Sequence, residues 1–410
     1  MSSRYASLTR DELATLVPEL LLIGQLIDRS GMAWCISAFG REEMAQIAIE
    51  EWAGSSPFYT RRMQRALGYE GTDVVTIFKG LQLDIGAPPQ FMDFRYAVTD
   101  PWHGEFWLDH CGALMDVEPM GEDYVRSMCH DIEDPTFDAT AVATNAKAQV
   151  RPVHRPPRAS TDQHPHCRWT VVIDQAHDSV TPLPPYYEVE PKRAVTVALD
   201  PIVPGGGGLD DYTGPLVDDL DFAAFSHAAL VRIADEVCLQ MHLLNLSFGI
   251  AVAKRAASPE QAQEICTKQL VGIAGIAAER LHRALALPAD EAGAARALAL
   301  LPLFNPVVYT GGEEGGSGAA TLAVTPSDAA ADGGWITLCG PGRTAPLQAA
   351  VRAVDPYLDV EVTGSQETWD LTVVRRHEPA PEAGEVAVTR FSTGATFAFE
   401  PRRSLPLFSV

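Results

Sequence analysis

The two halves of the chain carry the same order of predicted elements, and this order restricts the fold more than any other feature. Each half begins with helical periodicity, continues through a strand and a helix, and ends in further short strands. Local sequences agree with this pattern, since Arg62-Met-Gln-Arg-Ala-Leu67 resembles Arg280-Leu-His-Arg-Ala-Leu285. Self-similarity is typical of internal duplication, although two Ala/Leu-rich helices can also match by coincidence. We therefore predict an α+β fold of two similar halves, each combining helices with antiparallel strands.

The first half is predicted to open with helices and to change to strands near residue 92. Thr9-Arg-Asp-Glu12 has the spacing of a capping box, and helical spacing continues to about Ile27, with a break or kink at Pro18. Further helices are predicted over 41–52, 59–67, 73–83, 121–131 and 135–143. The predicted strands are 92–98, 105–110, 149–154 and 168–174. We expect the last two strands to pair as an antiparallel hairpin with a long loop.

The second half repeats this order after a segment rich in Pro, Gly and Asp. Helices are predicted over 228–303 and 344–354, strands over 321–324, 335–339, 358–362 and 369–375, and a hairpin over 385–399. The strand over 335–339 ends in Cys339-Gly340 and is expected to match the strand that ends in Cys111-Gly112. Residues 193–199 are a candidate for one more strand. We predict an N-terminal half over 1–178, a linker segment over 179–225 and a C-terminal half over 226–410.

The formal net charge of −23 excludes whole classes of partner. Nucleic acids and anionic membrane surfaces are bound through basic faces, so neither is an expected partner. The polar stretch Met1–Arg10 does not resemble a secretory signal, and no apolar run has the length needed to cross a bilayer. The odd number of 7 Cys does not suggest a disulfide framework. We predict a cytoplasmic protein that acts on a small molecule, and the sequence leaves the oligomeric state open.

Histidine and cysteine are concentrated between Trp102 and His177. This stretch holds seven of the 11 His and three of the 7 Cys: His103, His110, Cys111, Cys129, His130, His154, His164, His166, Cys167 and His177. Several of them stand at the ends of predicted strands or helices, where side chains from different elements can converge. Imidazole nitrogen and thiolate sulfur suit zinc, with iron as the alternative. The predicted metal ligands are Cys111, His130, His154, Cys167 and His110.

Acidic and basic side chains beside this stretch suggest further roles. Acids near a metal act as a general base on bound water or orient the ligands, and the predicted catalytic residues are Glu118, Asp131 and Glu133. Arginines bind carboxylates in a bidentate manner, and the predicted substrate-binding residues are Arg151, Arg155 and Arg168. Alternatively, these arginines are solvated loop charges, and the histidines and cysteines are structural.

A metal-free site with Cys111 or Cys129 as nucleophile is another reading of the cluster. His110 directly precedes Cys111 on a predicted strand, and adjacent strand residues point to opposite faces. His130 or His154 would therefore have to activate the thiol from elsewhere in the fold.

The same window resembles a known family. After a helical start and a strand that ends in Cys, the chain reads His154-Arg-Pro-Pro157 and then His166-Cys-Arg-Trp-Thr170. This order resembles the aminothiazoline-carboxylate hydrolase-like family over about Leu22 to Asp174, with His154 at a position where the family usually has Cys. A fuller similarity is to uncharacterised actinobacterial proteins. The resemblance implies hydrolysis of a small cyclic substrate at a C–N or C–S bond.

These observations predict a metal-dependent enzyme that activates water, or another small molecule, at the His/Cys site. The alternatives are a non-enzymatic ligand-binding or sensor protein with a structural cluster, and an enzyme with a cysteine nucleophile.

Overall fold

The computed structural model describes residues 3–314, 321–391 and 405–407. In chain order, the first half contains α1 (Arg10–Phe39), α2 (Arg41–Ala66), α3 (Val74–Leu81), β1 (Met92–Asp100), β2 (His103–Cys111), α4 (Gly112–Val117), α5 (Glu122–Arg126), α6 (Glu133–Val142), β3 (Ala148–His154) and β4 (Cys167–Ile173). Two short helices follow, α7 (Pro184–Val189) and α8 (Arg193–Thr196). The rest comprises α9 (His227–Arg255), α10 (Pro259–Ala284), α11 (Glu291–Leu300), α12 (Val307–Thr310), β5 (Gly312–Glu314), β6 (Thr321–Val324), α13 (Asp328–Asp332), α14 (Ala345–Val354), β7 (Leu358–Gly364), β8 (Trp369–Arg375) and α15 (Gly384–Phe391). The mixture of helices with two antiparallel sheets confirms the α+β class.

Helix α1 begins at the predicted capping box and runs further than predicted. The Thr9 hydroxyl accepts a hydrogen bond from the Glu12 N–H, and the Glu12 carboxylate accepts one from the Thr9 N–H at 2.7 Å. Pro18 does not break the helix, which continues through it to Phe39, and the kink given as the alternative stays a prediction. A proline removes one helical hydrogen bond, and the buried apolar side chains on both sides of Pro18 hold the helix in place.

Each half contains one four-stranded antiparallel sheet. The strand orders are β1-β2-β4-β3 and β5-β6-β8-β7, so the connectivity is the same in both. The predicted pairing of β3 with β4 is confirmed, with Val150 opposite Val171. The common strand order does not by itself establish internal duplication, which stays a prediction.

The predicted equivalence of Cys111 and Cys339 is wrong. Cys111 ends β2, whereas Cys339 follows a 3₁₀ turn over Trp335–Leu338, where a strand was predicted. Trp335 is buried, and its ring lies 5.4 Å from the ring of His242 on α9. The packing of Trp335 against α9 favours the turn over a strand. The alternation of residues over 335–339 predicted a strand because it carries no information about this distant contact.

Two other predicted strands are helical. Residues 193–196 form α8, because the Asp332 carboxylate accepts hydrogen bonds from the Arg193 and Ala194 N–H groups at 2.9 Å and fixes the turn. The predicted hairpin over 385–399 is replaced by α15 as far as Phe391, and residues 392–399 lie outside the described part of the chain. Gly275 on α10 lets α15 pack closely, since a Cβ there would lie 2.5 Å from Val386 Cγ2.

The core of the molecule is shared between the halves. Helices α1, α2, α9 and α10 pack against one another, and one hydrophobic cluster contains residues of all four. Tyr212 and Phe225, from the segment between the halves, are buried in the same cluster. The division into 1–178, 179–225 and 226–410 stays a prediction.

Helix α9 is the one described helix that is long and apolar enough to cross a membrane. Its most apolar window is 83% buried inside the protein, which is the pattern of a core helix in a soluble protein. The location in the cytoplasm stays a prediction.

Candidate functional site

The predicted histidine ligands lie near the sheet of the first half, and two of them contact backbone oxygens. His130 Nε2 lies 2.7 Å from the carbonyl oxygen of Pro156, and His154 Nε2 lies 3.1 Å from that of Pro165. His110 is half-buried, with its ring 6.0 Å from the ring of His166, which lies 4.9 Å from that of His164. Burial, the largest cause, and the nearby positive charge of Arg158 together lower the pKa of His166 to about 4, so this imidazole is neutral at pH 7.

The structure places His154 and Cys167 at neighbouring strand ends but directs them to different faces. His154 pairs with Arg168 across the sheet, after a register shift beyond Pro152. Directly opposed residues share a face, whereas successive residues of a strand alternate between faces. Arg168 is exposed and Cys167 is buried, so His154 lies on the outer face and Cys167 on the inner one.

Three buried thiols gather around Glu133. Burial is the largest cause of the raised pKa of the three thiols, Cys111, Cys129 and Cys167, and proximity to Glu133 is the next. Cys111 also caps α4, because its Sγ accepts a hydrogen bond from the Leu114 N–H at 3.4 Å. The thiolate is the form that attacks substrates and binds metals. With the pKa of Cys111 at about 12, this group is a neutral thiol at pH 7.

The three predicted catalytic acids occupy different environments. Glu118 forms a two-point ion pair with Arg158, with oxygen-to-nitrogen distances of 3.0 and 2.5 Å. Asp131 is exposed. Glu133 points inward, and its Oε2 is shielded from solvent without a hydrogen-bond partner. Glu133 also lines a cavity of about 90 Å³.

The three predicted substrate-binding arginines are engaged in ion pairs within the protein. Arg151 binds Asp138 at 2.9 Å, Arg155 binds Asp134, and Arg168 binds Glu105. The guanidinium groups of Arg155 and Arg168 also lie over the rings of Trp169 and Trp107, at 5.6 and 5.7 Å. Their predicted role in substrate binding stays a prediction.

Within the described residues, no group of three or more His, Cys, Asp or Glu side chains is placed to hold a metal ion. The binding of zinc or iron by the predicted ligands therefore stays a prediction.

The structure reveals a cavity that the sequence did not suggest. It has a volume of about 320 Å³ and lies between α1, α2 and the segment from α4 to α6. Its walls are largely apolar and include Met32, Met44, Trp52 and Met128. A volume of this size is typical of small-molecule sites.

Charged side chains of α1 lie at this cavity. Asp28 and Arg29 line it, and the Arg29 Nε lies 3.4 Å from the Asp28 Oδ2. The indole N–H of Trp52 donates to the other Asp28 oxygen, at 3.4 Å. Behind Asp28, Glu51 is fully buried, and neither of its carboxylate oxygens has a hydrogen-bond partner. Burial raises the pKa of Asp28, and burial together with the Asp28 charge raises the pKa of Glu51.

An inner cavity of about 90 Å³ adjoins the first one. Arg29, Trp52, Met128 and Ile132 line both cavities, and Glu133 lines the inner one. Burial raises the pKa of Glu133 to about 8, so its carboxyl group is largely protonated at pH 7. The apolar outer cavity therefore adjoins an inner cavity in which Glu133 is a neutral acid.

A π-helical turn shapes the boundary between the cavities. Residues Ser127–Ile132 form this turn between α5 and α6, and two of them, Met128 and Ile132, line both cavities. Glu133 follows directly. Turns of this kind are rare and frequently occur at functional sites.

One further large cavity has its polar groups already engaged. It has a volume of about 260 Å³ and is lined by His227, Arg232 and Asp235. His227 contacts the Leu8 carbonyl oxygen at 2.8 Å, Arg232 pairs with a buried glutamate at 2.9 Å, and Asp235 accepts from Ser3 at 3.0 Å. We therefore take the α1–α2 cavity, whose boundary retains unpaired polar atoms, as the candidate site.

The residues at this site left a signal in the sequence that our prediction did not use. Gln25, Asp28 and Arg29 interrupt an apolar helical run at positions i, i+3 and i+4, so they share one face of α1. Charged residues on a helix face that is otherwise apolar are rarely fully buried unless they are paired. Such an interruption is a functional signal.

Comparison with known proteins adds no further assignment. No model of a known protein family matches the chain. Neither the curated proteins nor the solved structures gave a significant match.

Proposed function

We propose that the protein binds a small organic molecule in the cavity between α1 and α2. The observation that carries this proposal is an apolar cavity of about 320 Å³ that has Asp28 and Arg29 among its lining residues. Most small-molecule sites combine apolar walls with a few polar groups that orient the ligand.

The energetic cost of the polar groups supports a ligand-binding role. Burying a charged group without full pairing costs desolvation free energy, and it lowers the stability of the folded protein. Asp28 and Arg29 are both less than one-tenth exposed, and the contacts of the Asp28 carboxylate with the Arg29 Nε and with the Trp52 N–H are both long, at 3.4 Å. A ligand that completes these interactions explains why a helix in the core carries them.

Two matched variants of α1 test the proposal. Ala33 lines the cavity and is exposed at its wall, whereas Ala38 is exposed on the same helix and does not line the cavity. Ala33→Trp places a large side chain at the cavity, and Ala38→Trp adds the same bulk elsewhere. A fragment library screened by thermal shift should give compounds that raise the Tm of the wild type and of Ala38→Trp but not that of Ala33→Trp.

Two results would contradict this proposal. One is a screen in which no fragment at millimolar concentration stabilises the wild type. The other is a set of stabilising fragments that act equally on Ala33→Trp.

A second candidate function is favoured by Glu133. A neutral carboxyl group is the form that donates a proton to a leaving group, and Glu133 lines the inner cavity beside three thiols. With the resemblance noted above, this suggests hydrolysis of a small substrate at a C–N or C–S bond, with or without zinc or iron. Hydrolysis of an aminothiazoline carboxylate by the wild type but not by Glu133→Gln would support it, and elemental analysis of the purified protein would test the metal. Equal turnover by both proteins would exclude Glu133 as the acid.

A further inference from the structure

We propose that the ligand of the α1–α2 cavity is a protonated amine on an apolar body, with its ammonium group held at Asp28. This inference rests on the proposed function, because it requires that the cavity bind a small molecule at all.

The balance of charge favours a cation. Asp28 and Asp116 line the outer cavity, and Asp84 lines the inner one. Among the described residues that line the two cavities, Arg29 is the only base. Carboxyl groups outnumber basic groups, so a positive head group relieves repulsion that a neutral or negative one leaves in place.

The unpaired polar atoms also favour a hydrogen-bond donor. Gln25 is 3% exposed and lines the inner cavity, and its Oε1 has no hydrogen-bond partner. The Oε2 of Glu133 in the same cavity is likewise without a partner. An ammonium group carries three N–H donors and no acceptor, so it satisfies oxygens that the protein leaves unpaired.

Trp52 adds a third feature that suits an ammonium group. Its ring lines both cavities, and its N–H points to the Asp28 carboxylate. The indole N–H therefore helps to hold the Asp28 carboxylate at the cavity wall, where an ammonium group can bind it.

A carboxylate ligand for Arg29 is the competing assignment. Arg29 already lies 3.4 Å from Asp28, and its positive charge also acts on Glu51 and Glu133. A carboxylate placed at Arg29 would lie close to the Asp28 carboxylate, which would repel it. The positive charge of Arg29 is therefore already engaged with acids of the protein, and the net charge of the residues that line the two cavities is negative.

Three probes with one body and different heads test this inference in the full-length protein. They are 4-phenylbutylamine, 4-phenylbutanol and 4-phenylbutyrate, measured by isothermal titration calorimetry at pH 7. We expect the amine to bind about 10- to 100-fold more tightly than the alcohol, the range for a hydrogen bond to a charged group. The carboxylate should bind more weakly than either.

Variants assign the effect to the site. Asp28→Asn should weaken the amine about 10-fold or more and leave the alcohol unchanged. Glu122→Gln is the control, because it removes one negative charge from the exposed face of α5. Circular dichroism verifies folding, and if Asp28→Asn does not fold, Asp116→Asn at the half-buried cavity wall replaces it.

The outcomes separate this inference from the proposed function. If the alcohol or the carboxylate binds as tightly as the amine, the cation is excluded while binding in the cavity stands. If Asp28→Asn and Asp116→Asn both bind the amine as the wild type does, the inference is also overturned. If none of the three probes binds although fragments stabilise the wild type and Ala38→Trp but not Ala33→Trp, the amine is excluded and the proposed function stands. If no fragment stabilises the wild type either, the proposed function itself fails.

Discussion

Replacing Glu133 with Gln is expected to change how the stability of the protein depends on pH. The pKa of Glu133 is raised from 4.5 to about 8: burial is the largest cause, the charges of Arg155 and Arg29 lower the pKa, and the charge of Asp134 raises it. A carboxyl group with a raised pKa holds its proton more tightly in the folded chain than in the unfolded one. Stability therefore falls as the pH rises from about 4.5 to about 8. Gln cannot ionise, so the variant lacks this loss.

The size of the effect follows from the two pKa values. At pH 6 the unfolded carboxyl group has already released its proton, and the folded one begins to do so only near pH 8. One pKa unit corresponds to about 1.4 kcal/mol. Allowing for partial ionisation at pH 8, we expect the wild type to lose about 2 kcal/mol relative to Glu133→Gln between pH 6 and pH 8.

Urea unfolding of both proteins at pH 6, 7 and 8 measures this difference. Other titrating groups are common to both proteins and cancel in the comparison. Asp131→Asn is the control, because it removes an exposed carboxyl group two positions away. Parallel stability curves for the wild type and Glu133→Gln would refute the raised pKa of Glu133 and the role as a neutral acid that depends on it.

Two further predictions concern packing and the proposed ligands. Gly24→Ala should destabilise the protein by about 1–3 kcal/mol, because the new Cβ would lie 2.4 Å from Ile85 Cγ2. In contrast, a Cβ added at Gly249 in α9 would meet no atom within 4 Å, so Gly249→Ala should stabilise the protein by about 0.5–1 kcal/mol. Thermal unfolding measures both changes, and equal effects of the two variants would contradict the close packing of α1 against Ile85. His154→Ala and Cys167→Ala should have additive effects on unfolding within about 0.5 kcal/mol, because the two side chains lie on opposite faces of the sheet. A double variant that loses no more than either single variant, together with loss of bound zinc, would support shared ligation instead.

The fold class and the local signals were accessible from the sequence. The capping box at Thr9 and the pairing of β3 with β4 depend on short-range spacing and alternation, and both were predicted correctly. The turn at Trp335 and helix α15 depend on distant partners, namely His242 and Gly275. Local patterns carry no information about such partners, so strands were predicted in both places.

The candidate site was only partly accessible for the same reason. Glu133 was selected because it stands beside the His/Cys cluster, and the structure does place it at a cavity. Density of histidines in the sequence did not indicate which of them point inward, because a register shift beyond Pro152 turns His154 to the outer face. Asp28 and Arg29 were missed because the cavity they line also requires α2 and the π-helical turn.

A crystal structure of the protein with 4-phenylbutylamine would show whether the α1–α2 cavity holds an amine at Asp28. We expect the phenyl ring to lie among the apolar walls near Met32 and Met44, which line the cavity. We also expect the amine nitrogen to lie about 2.7–2.9 Å from a carboxylate oxygen of Asp28, the distance of a charge-assisted hydrogen bond. A probe bound elsewhere, or an α1–α2 cavity that holds only water at saturating probe, would contradict this expectation.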